Sequence, residues 1–290
     1  MAFCPATVYT GSSAHGQGHH TAWAMLVEAE LGIEMSKVTV IHGDTDLIPM
    51  GTGTYASRSL QLGGVAVHKA AVDVKEQARQ LAADMLEASA DDLELDTERG
   101  AWQVRGDPAA SRTWAQVAGH AGDAGLAAEV NYTEGQPTFP FGTHLALVQV
   151  DTETGKAVLL RHVTVDDAGT VVSPVLAEGQ RHGGIAQGVA QALLEEMVYD
   201  ADGNPLTSTL VDYAAITAAE LPSFELLASE TPAANPLGAK GIGEAGTIGA
   251  APALQNAVID AVSHLGVRHI DMPATPARVW AAISEAREGQ

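Results

Sequence analysis

The sequence has a single cysteine, Cys4, among its 290 residues. One thiol excludes an internal disulfide, and it excludes an iron–sulfur cluster held by this chain alone, because such a cluster needs about four thiolates. No apolar run approaches the ~20 residues of a membrane-spanning helix. The first residues lack the basic and apolar segments of a signal peptide. From these absences we expect a cytoplasmic protein.

Basic residues are also scarce. The chain has 15 lysines and arginines against 36 aspartates and glutamates, which gives a formal charge of −21. Nucleic-acid readers need a basic surface to bind phosphate, so the composition disfavours that class. The hydrophobic fraction of 46% is enough for the core of one large or two ordinary domains.

Short β-rich stretches alternate with helical ones along the chain, and several strands lead into helices through glycine-rich loops. This order predicts an α+β fold of mixed sheets and helices. Small polar residues at 107–110 and 119–125 predict a seam between two related subdomains near residues 120–138. We place these subdomains at 1–125 and 126–290.

The glycine segment 235–249 contains both Lys240 and Glu244. Dense glycines let a backbone approach a bound group closely. Pro252 suits the first turn of a helix, so we predict a helix from Ala253 to about Leu265, with Glu244 in a tight loop before it. The alternative is a glycine-rich turn with a solvated glutamate.

Segment 11–21 joins a predicted strand, Ala6–Thr10, to a predicted helix, Ala22–Leu31. A glycine loop at a helix N-terminus is a site for an anion. His15 and His19 are four residues apart, so a zinc site is an alternative, but the glutamate of H-E-x-x-H is absent. A turn with exposed histidines is a further alternative.

A second glycine segment, 50–59, has the hydroxyls of Thr54, Tyr55, Ser57 and Ser59 beside Arg58. Hydroxyls, backbone N–H groups and a guanidinium are the donors that phosphate oxygens need. The alternative is a helix cap without a ligand.

A third glycine segment follows Pro174, in a helix that we predict to continue to Val198. Its glycines reduce helix stability by about 1 kcal/mol each relative to alanine. They therefore indicate close approach, either of another helix or of a ligand.

Four segments in chain order together resemble the molybdenum-binding subunit of the xanthine dehydrogenase family. That family includes carbon monoxide dehydrogenase large subunits and aldehyde, nicotinate and purine hydroxylases. The matching motifs are His15-Gly-Gln-Gly-His19, Gly53-Thr-Tyr-Ala-Ser-Arg-Ser59, Glu178-Gly-Gln-Arg-His-Gly-Gly-Ile-Ala-Gln-Gly188 and Lys240-Gly-Ile-Gly-Glu-Ala-Gly246.

The resemblance implies a molybdopterin cofactor, usually the cytosine dinucleotide form, with no protein side chain bound to molybdenum. It implies oxidative hydroxylation of an electron-poor carbon in an N-heterocycle, purine, aldehyde or carbon monoxide, with oxygen derived from water. Glu244 matches the general base. The residues that match the cofactor-binding loops are Gln17, Gly18, His19, Thr21, Thr54, Tyr55, Ser57, Arg58, Ser59, Asp167, Ala168, Thr170, Gln180, Lys240 and Gly241.

The resemblance also implies partners, because full-length subunits of the family are much longer than this chain. We expect a separate chain that carries the N-terminal half of the subunit, together with a [2Fe–2S] protein and an FAD protein. The alternatives are a non-catalytic cofactor-binding or maturation protein, and a zinc hydrolase that uses His15 and His19.

Overall fold

A computed structural model describes residues 4–122, 125–133 and 136–289. The chain forms two compact units, with residues 1–138 and 233–239 in unit 1 and residues 139–232 and 240–290 in unit 2. The predicted seam at 120–138 includes residues 123–124 and 134–135, which lie outside the described residues. The subdomain limits 1–125 and 126–290 stay a prediction.

Unit 1 begins with a strand–helix–strand element in which the two strands are parallel, and continues through a long helix to an antiparallel sheet of order β3-β4-β5. A π-helical turn at Leu60–Gly64 precedes the long helix. The elements are β1 (Ala6–Tyr9), α1 (His19–Leu31), β2 (Val38–Ile41), α2 (Val65–Leu86), β3 (Leu93–Asp96), β4 (Ala101–Val104), β5 (Asp107–Thr113) and α3 (Trp114–His120).

Aromatic side chains fill much of the core of unit 1. Trp23 and Trp102 are almost fully buried, and the rings of Trp102 and Trp114 meet edge to face at 6.0 Å. The indole N–H of Trp114 donates to the Leu31 carbonyl over 2.8 Å. This bond ties the end of α1 to the start of α3.

Unit 2 contains a three-stranded sheet of order β6-β7-β8, antiparallel between β6 and β7 and parallel between β7 and β8. Its helices α4 and α5 pack closely on each other. The elements are β6 (Phe141–Val150), β7 (Ala157–Asp167), α4 (Pro174–Leu193), β8 (Phe224–Ser229), α5 (Ala245–Ser263) and α6 (Pro276–Glu288).

Glycines permit the close packing of α4 on α5. A Cβ added to Gly184 would lie 3.1 Å from the Gly246 Cα, and one added to Gly188 would lie 3.0 Å from the Ala251 nitrogen. Helix approach therefore explains these two α4 glycines. It does not explain Gly179 and Gly183, where an added Cβ would meet no described atom within 4 Å.

Three predicted helix limits were wrong. Helix α1 begins at His19 rather than Ala22, since the Ala22 N–H already donates to the Gly18 carbonyl. Helix α5 begins at Ala245 rather than Ala253, and Pro252 lies inside it, because packing on α4 stabilises turns that precede the proline. Helix α4 ends at Leu193 rather than Val198, since Leu194 and Glu195 both donate to the Ala190 carbonyl.

A further error concerns residues 107–110, for which no strand was predicted. These residues begin strand β5, which pairs with β4 at the edge of the β3-β4-β5 sheet. An edge strand tolerates Pro108, because one side of the strand has no ladder bond to lose. The other predicted helices and strands are present, and the mixed α and β fold is confirmed.

Candidate functional site

The first two glycine segments lie at the same edge of unit 1. Strands β1 and β2 are parallel, with Tyr9 opposite Ile41, so the loops that follow them leave the pair at one edge. The Thr54 hydroxyl donates to the Ser13 carbonyl over 2.6 Å and connects the two loops. Unit 1 therefore brings the segment that contains Gln17 next to the segment that contains Thr54.

The first segment ends at the N-terminus of α1. Gly18 is the N-cap residue with φ of 89°, a left-handed conformation in which glycine meets no steric penalty. Within the part of the chain that the structure describes, this helix start has no side-chain cap and no acidic residue in its first turn. The free N–H groups and the positive end of the helix dipole favour an anion at this point.

Several imidazoles surround this helix start. The Gln17 amide nitrogen lies 3.1 Å from Nε2 of the buried His19, and the His20 and His42 rings are 5.2 Å apart. Burial lowers the pKa of His19, the Ser12 backbone opposes this, and His15, His42 and His20 lower the pKa further. His19 thus presents a neutral ring at neutral pH.

The zinc alternative finds no support in this geometry. The described residues contain no group of three or more His, Cys, Asp or Glu side chains that could hold a metal ion. In the same described ranges no helix is long and apolar enough to cross a membrane.

The second segment has an unusual backbone. Ala56 and Ser57 have positive φ angles of 55° and 49°, a region that is uncommon for residues other than glycine and is frequent at ligand-binding sites. The Arg58 guanidinium stacks over the Tyr55 ring, with 4.1 Å to its centroid. The Ser59 hydroxyl donates to that of Thr54 over 3.1 Å.

Unit 2 repeats the arrangement with other contacts. Strands β7 and β8 are parallel, with Asp167 opposite Ser229, so the loops after both strands leave from one edge. The Lys240 N–H donates to the Ala168 carbonyl over 2.8 Å, and the Lys240 ammonium lies 2.9 Å from Asp167. The third and fourth segments therefore meet at this edge, with Gly241 buried next to Lys240.

Asp167 is the centre of a buried hydrogen-bond network. Its carboxylate accepts from Lys240, the Gly169 N–H, Thr231 and Ser229. Burial raises the pKa of Asp167, but the Lys240 ammonium and the other donors outweigh burial and lower the pKa to about 2. The positive charge of Lys240 is thus neutralised inside the protein, and the pair fixes the loop that leads to Glu244.

A second network adjoins this one and was not predicted. Asp166 accepts from the Arg181 guanidinium over 2.7 Å and lies 3.3 Å from the ring of His144, which in turn lies 3.1 Å from that of His162. Burial raises the pKa of Asp166, but hydrogen bonds from His144, Thr164 and Arg181 lower it to about 2. Burial lowers the pKa of His162 to about 4, with the His144 ring adding to the effect and Asp166 opposing it.

The remaining candidates in unit 2 are more exposed. Glu244 is the N-cap residue of α5, is exposed, and accepts the Ile248 N–H through its carbonyl over 3.0 Å. Gln180 is half-buried on α4, and the Thr170 hydroxyl donates to Glu230 over 3.2 Å. Thr21, in unit 1, is exposed in the first turn of α1.

The comparisons with known proteins identify the family to which this chain belongs. The profile of the family described as "Molybdopterin cofactor-binding domain" matches residues 5–222. The carbon monoxide dehydrogenase large chain of Hydrogenophaga pseudoflava is 40% identical over 95% of this chain and 35% of its own length. The 6-hydroxypseudooxynicotine dehydrogenase complex subunit gamma of Paenarthrobacter nicotinovorans is 39% identical over 94% of this chain and 35% of its own length.

A solved structure shows the same fold. The reconstituted CO dehydrogenase from Oligotropha carboxidovorans aligns with a TM-score of 0.89 at 36% identity, over 97% of this chain and 36% of that one. The chain belongs to the molybdopterin cofactor-binding domain family, as the four glycine segments predicted. It spans about a third of the length of these relatives.

Proposed function

We propose that this chain forms part of the molybdopterin-binding portion of a molybdenum hydroxylase, in which Glu244 is the general base. The observation that carries the proposal is that all four matching motifs follow strands of parallel pairs. The motifs that begin at His15 and Gly53 lie in unit 1, and those that begin at Glu178 and Lys240 lie in unit 2. Glu244 lies in the last of them, directly at the start of α5. The carboxyl ends of parallel strands are a frequent location for cofactor sites.

The donors of unit 1 suit a molybdopterin dinucleotide, which is strongly anionic through its phosphates. The uncapped start of α1 at Gly18 and the guanidinium of Arg58 supply positive potential on a chain whose overall charge is −21. Gln17, His19, Thr21, Thr54, Tyr55, Ser57 and Ser59 supply further polar groups. We assign the cytosine dinucleotide form on the resemblance of these loops to the family.

The residues of unit 2 have a different role. Asp167, Ala168, Thr170, Gln180, Lys240 and Gly241 form or adjoin the loop edge that precedes Glu244. Because Lys240 is paired with Asp167, it holds the backbone of this loop in place. Its charge is therefore not free for a ligand.

The bound cofactor would supply the redox chemistry and accept electrons from the substrate. Glu244 then has one task, which is to take the proton from the water-derived oxygen nucleophile at its carboxylate as that oxygen attacks an electron-poor carbon. The candidate substrates are an N-heterocycle, a purine, an aldehyde or carbon monoxide. The exposed position of Glu244 leaves it accessible to a substrate.

The complete enzyme in this proposal has more parts than this chain. A polypeptide corresponding to the rest of the Mo subunit, a [2Fe–2S] subunit and an FAD subunit complete the route for electrons. The P. nicotinovorans relative is a dehydrogenase complex subunit by its name. We place the complex in the cytoplasm.

Substitution of Glu244 by glutamine in the purified complex tests the proposal. The amide keeps the size of the side chain and cannot accept the proton, so we expect turnover to fall by about 10²-fold or more. Molybdenum and pterin content should not change. Glu153→Gln, in an exposed turn of unit 2, is the matched control and should keep full turnover.

If turnover of the Glu244→Gln complex stayed within tenfold of that of the unsubstituted complex, Glu244 would not be the general base. Full cofactor content without turnover of any of the four substrate classes would favour a non-catalytic cofactor-binding or maturation protein.

A further inference from the structure

The solvent-facing side of the β6-β7-β8 sheet is apolar. Strand register places Leu145 opposite Val163 and Val165 opposite Leu227, so these side chains share one face. We call this surface the outer sheet face. Its exposed residues, with their exposed fractions, are Leu145 (61%), Leu147 (49%), Val158 (41%), Leu160 (45%), Val165 (37%) and Leu227 (57%).

The opposite face of the same strands carries buried polar groups. His162, Thr164 and Asp166 alternate with the outward residues of β7, and all three are almost completely buried. A sheet with one wet face normally turns its polar side chains to water and its apolar ones to the core. The outer face of this sheet instead exposes apolar side chains to water, which indicates that it is covered in the working protein.

Charge narrows the choice of what covers it. The charged side chains on the outward positions of the described strands include Arg161 and Glu225, which form two hydrogen bonds of 2.8 and 2.9 Å with each other. The face is thus close to neutral on a chain with a charge of −21. A second copy of this chain or an anionic lipid surface would be repelled by that charge, whereas another polypeptide with its own apolar face would not.

The length of the relatives indicates which polypeptide this is. This chain spans 35% of the H. pseudoflava protein and 36% of the O. carboxidovorans chain, so most of each relative lies outside the shared region. We propose that the outer sheet face docks the polypeptide that corresponds to this remaining part of the relatives. The proposal rests on the proposed function, because it assumes that the same type of Mo subunit is assembled.

Site-specific photocrosslinking in the organism that makes the protein tests this docking. Benzoylphenylalanine replaces Leu145 or Leu227 in the full chain, the complex is irradiated, and crosslinked peptides are identified by mass spectrometry. We expect peptides from a polypeptide that aligns with the unmatched part of the relatives. Trp280, half-exposed on α6, is the control position, where we expect at least fivefold less of that crosslink.

Crosslinks to a second copy of this chain, to an unrelated polypeptide, or to nothing would overturn the proposal, as would an equal yield at Trp280.

A second test replaces Leu145 and Leu227 together with aspartate. Both side chains face water in this chain, so its circular dichroism should not change, whereas recovery with the partner polypeptide should fall at least tenfold. Val211→Asp, on a loop residue that is 94% exposed, should change neither. Undiminished recovery of the Leu145→Asp/Leu227→Asp variant would contradict the docking.

Cofactor analysis of the same complexes separates this inference from the proposed function. The predicted crosslink in a complex without molybdenum and pterin would support the docking face and refute the hydroxylase. A complex that contains molybdenum and pterin but lacks the crosslink would support the hydroxylase and refute the docking face.

Discussion

The two units hold their loops at the same kind of place but by different forces. In unit 1 the loops after β1 and β2 are connected by a neutral bond between Thr54 and Ser13. Unit 2 has two buried ion pairs at the corresponding place. Asp167 with Lys240 joins β7 to the loop after β8, and Asp166 with Arg181 joins β7 to α4. Unit 1 therefore connects these loops through a neutral contact, whereas unit 2 uses its charges to fix a loop.

Charged and neutral contacts differ in how much stability is lost when one partner is removed. Removal of one member of a buried ion pair leaves an uncompensated charge in the interior, which destabilises a protein by about 3–5 kcal/mol. Loss of a neutral hydrogen bond changes stability by about 0.5–1.5 kcal/mol. If the two units differ in this way, removing a contact should destabilise unit 2 more than unit 1.

The largest effect is expected for Lys240→Met. Asp167 is fully buried, so the variant leaves its carboxylate without its cation, and unit 2 should lose about 3–5 kcal/mol. Hydrogen exchange of peptides from β7, β8 and α5 measures this loss within unit 2. The loop before Glu244 should exchange faster as well.

Two further variants control this experiment. Lys156→Met removes an exposed lysine from a turn of the same unit and should change stability by less than about 0.5 kcal/mol. The double variant Lys240→Met/Asp167→Asn removes the uncompensated charge and should recover part of the loss. If Lys240→Met alone changed exchange no more than Lys156→Met, the ion pair would not hold the loop.

A decrease in pH should have an intermediate effect on the stability of unit 2. The pKa of His162 is about 4 in the fold against 6.5 for an ordinary histidine, so the unfolded chain binds more protons between these values. The contribution of neutral His162 is complete above pH 6.5 and is lost as the pH falls to about 4. The loss in unit 2 between pH 6.5 and 4.5 should be about 2 kcal/mol, which exchange of β7 peptides at these two pH values would measure.

His162→Gln should flatten this pH dependence, because the amide does not titrate in that range. His269→Gln replaces an exposed histidine of the same unit and should leave the slope unchanged. Asp166 and Asp167, with pKa values of about 2, contribute their stability above pH 3.8 and lose it only as the pH falls from 3.8 to 2. An unchanged slope in His162→Gln would show that another group is responsible.

Sequence reasoning succeeded where local pattern decides the structure. Strand Ala6–Tyr9 is a short β-rich run before a turn, and it was predicted to within one residue. The loop after it was found because glycine is dense there. Glu244 was predicted in a loop before a helix that starts at Ala253, whereas it is the N-cap residue of a helix that starts at Ala245.

Predictions from the sequence were wrong where contacts between residues far apart in the chain determine the structure. Pro252 normally marks a helix start, but the turn before it survives because Gly246 packs against Gly184 on another helix. The network around Asp166 was missed because His144, His162 and Arg181 are far apart in sequence. One signal was available, since His144 has the same strand parity as Ala146 and Val148, which pack on the core.

The smallest effect is expected for Thr54→Val in unit 1. The variant removes the bond to the Ser13 carbonyl and the acceptor for Ser59, so unit 1 should lose about 1 kcal/mol. Three of the four tryptophans, Trp23, Trp102 and Trp114, lie in unit 1, so denaturant unfolding followed by tryptophan fluorescence reports mainly on this unit. Thr52→Val, at an exposed position of the same loop, is the control and should have little effect. A loss near that of Lys240→Met would mean that neutral contacts hold unit 1 as strongly as ion pairs hold unit 2, and the contrast between the units would then fail.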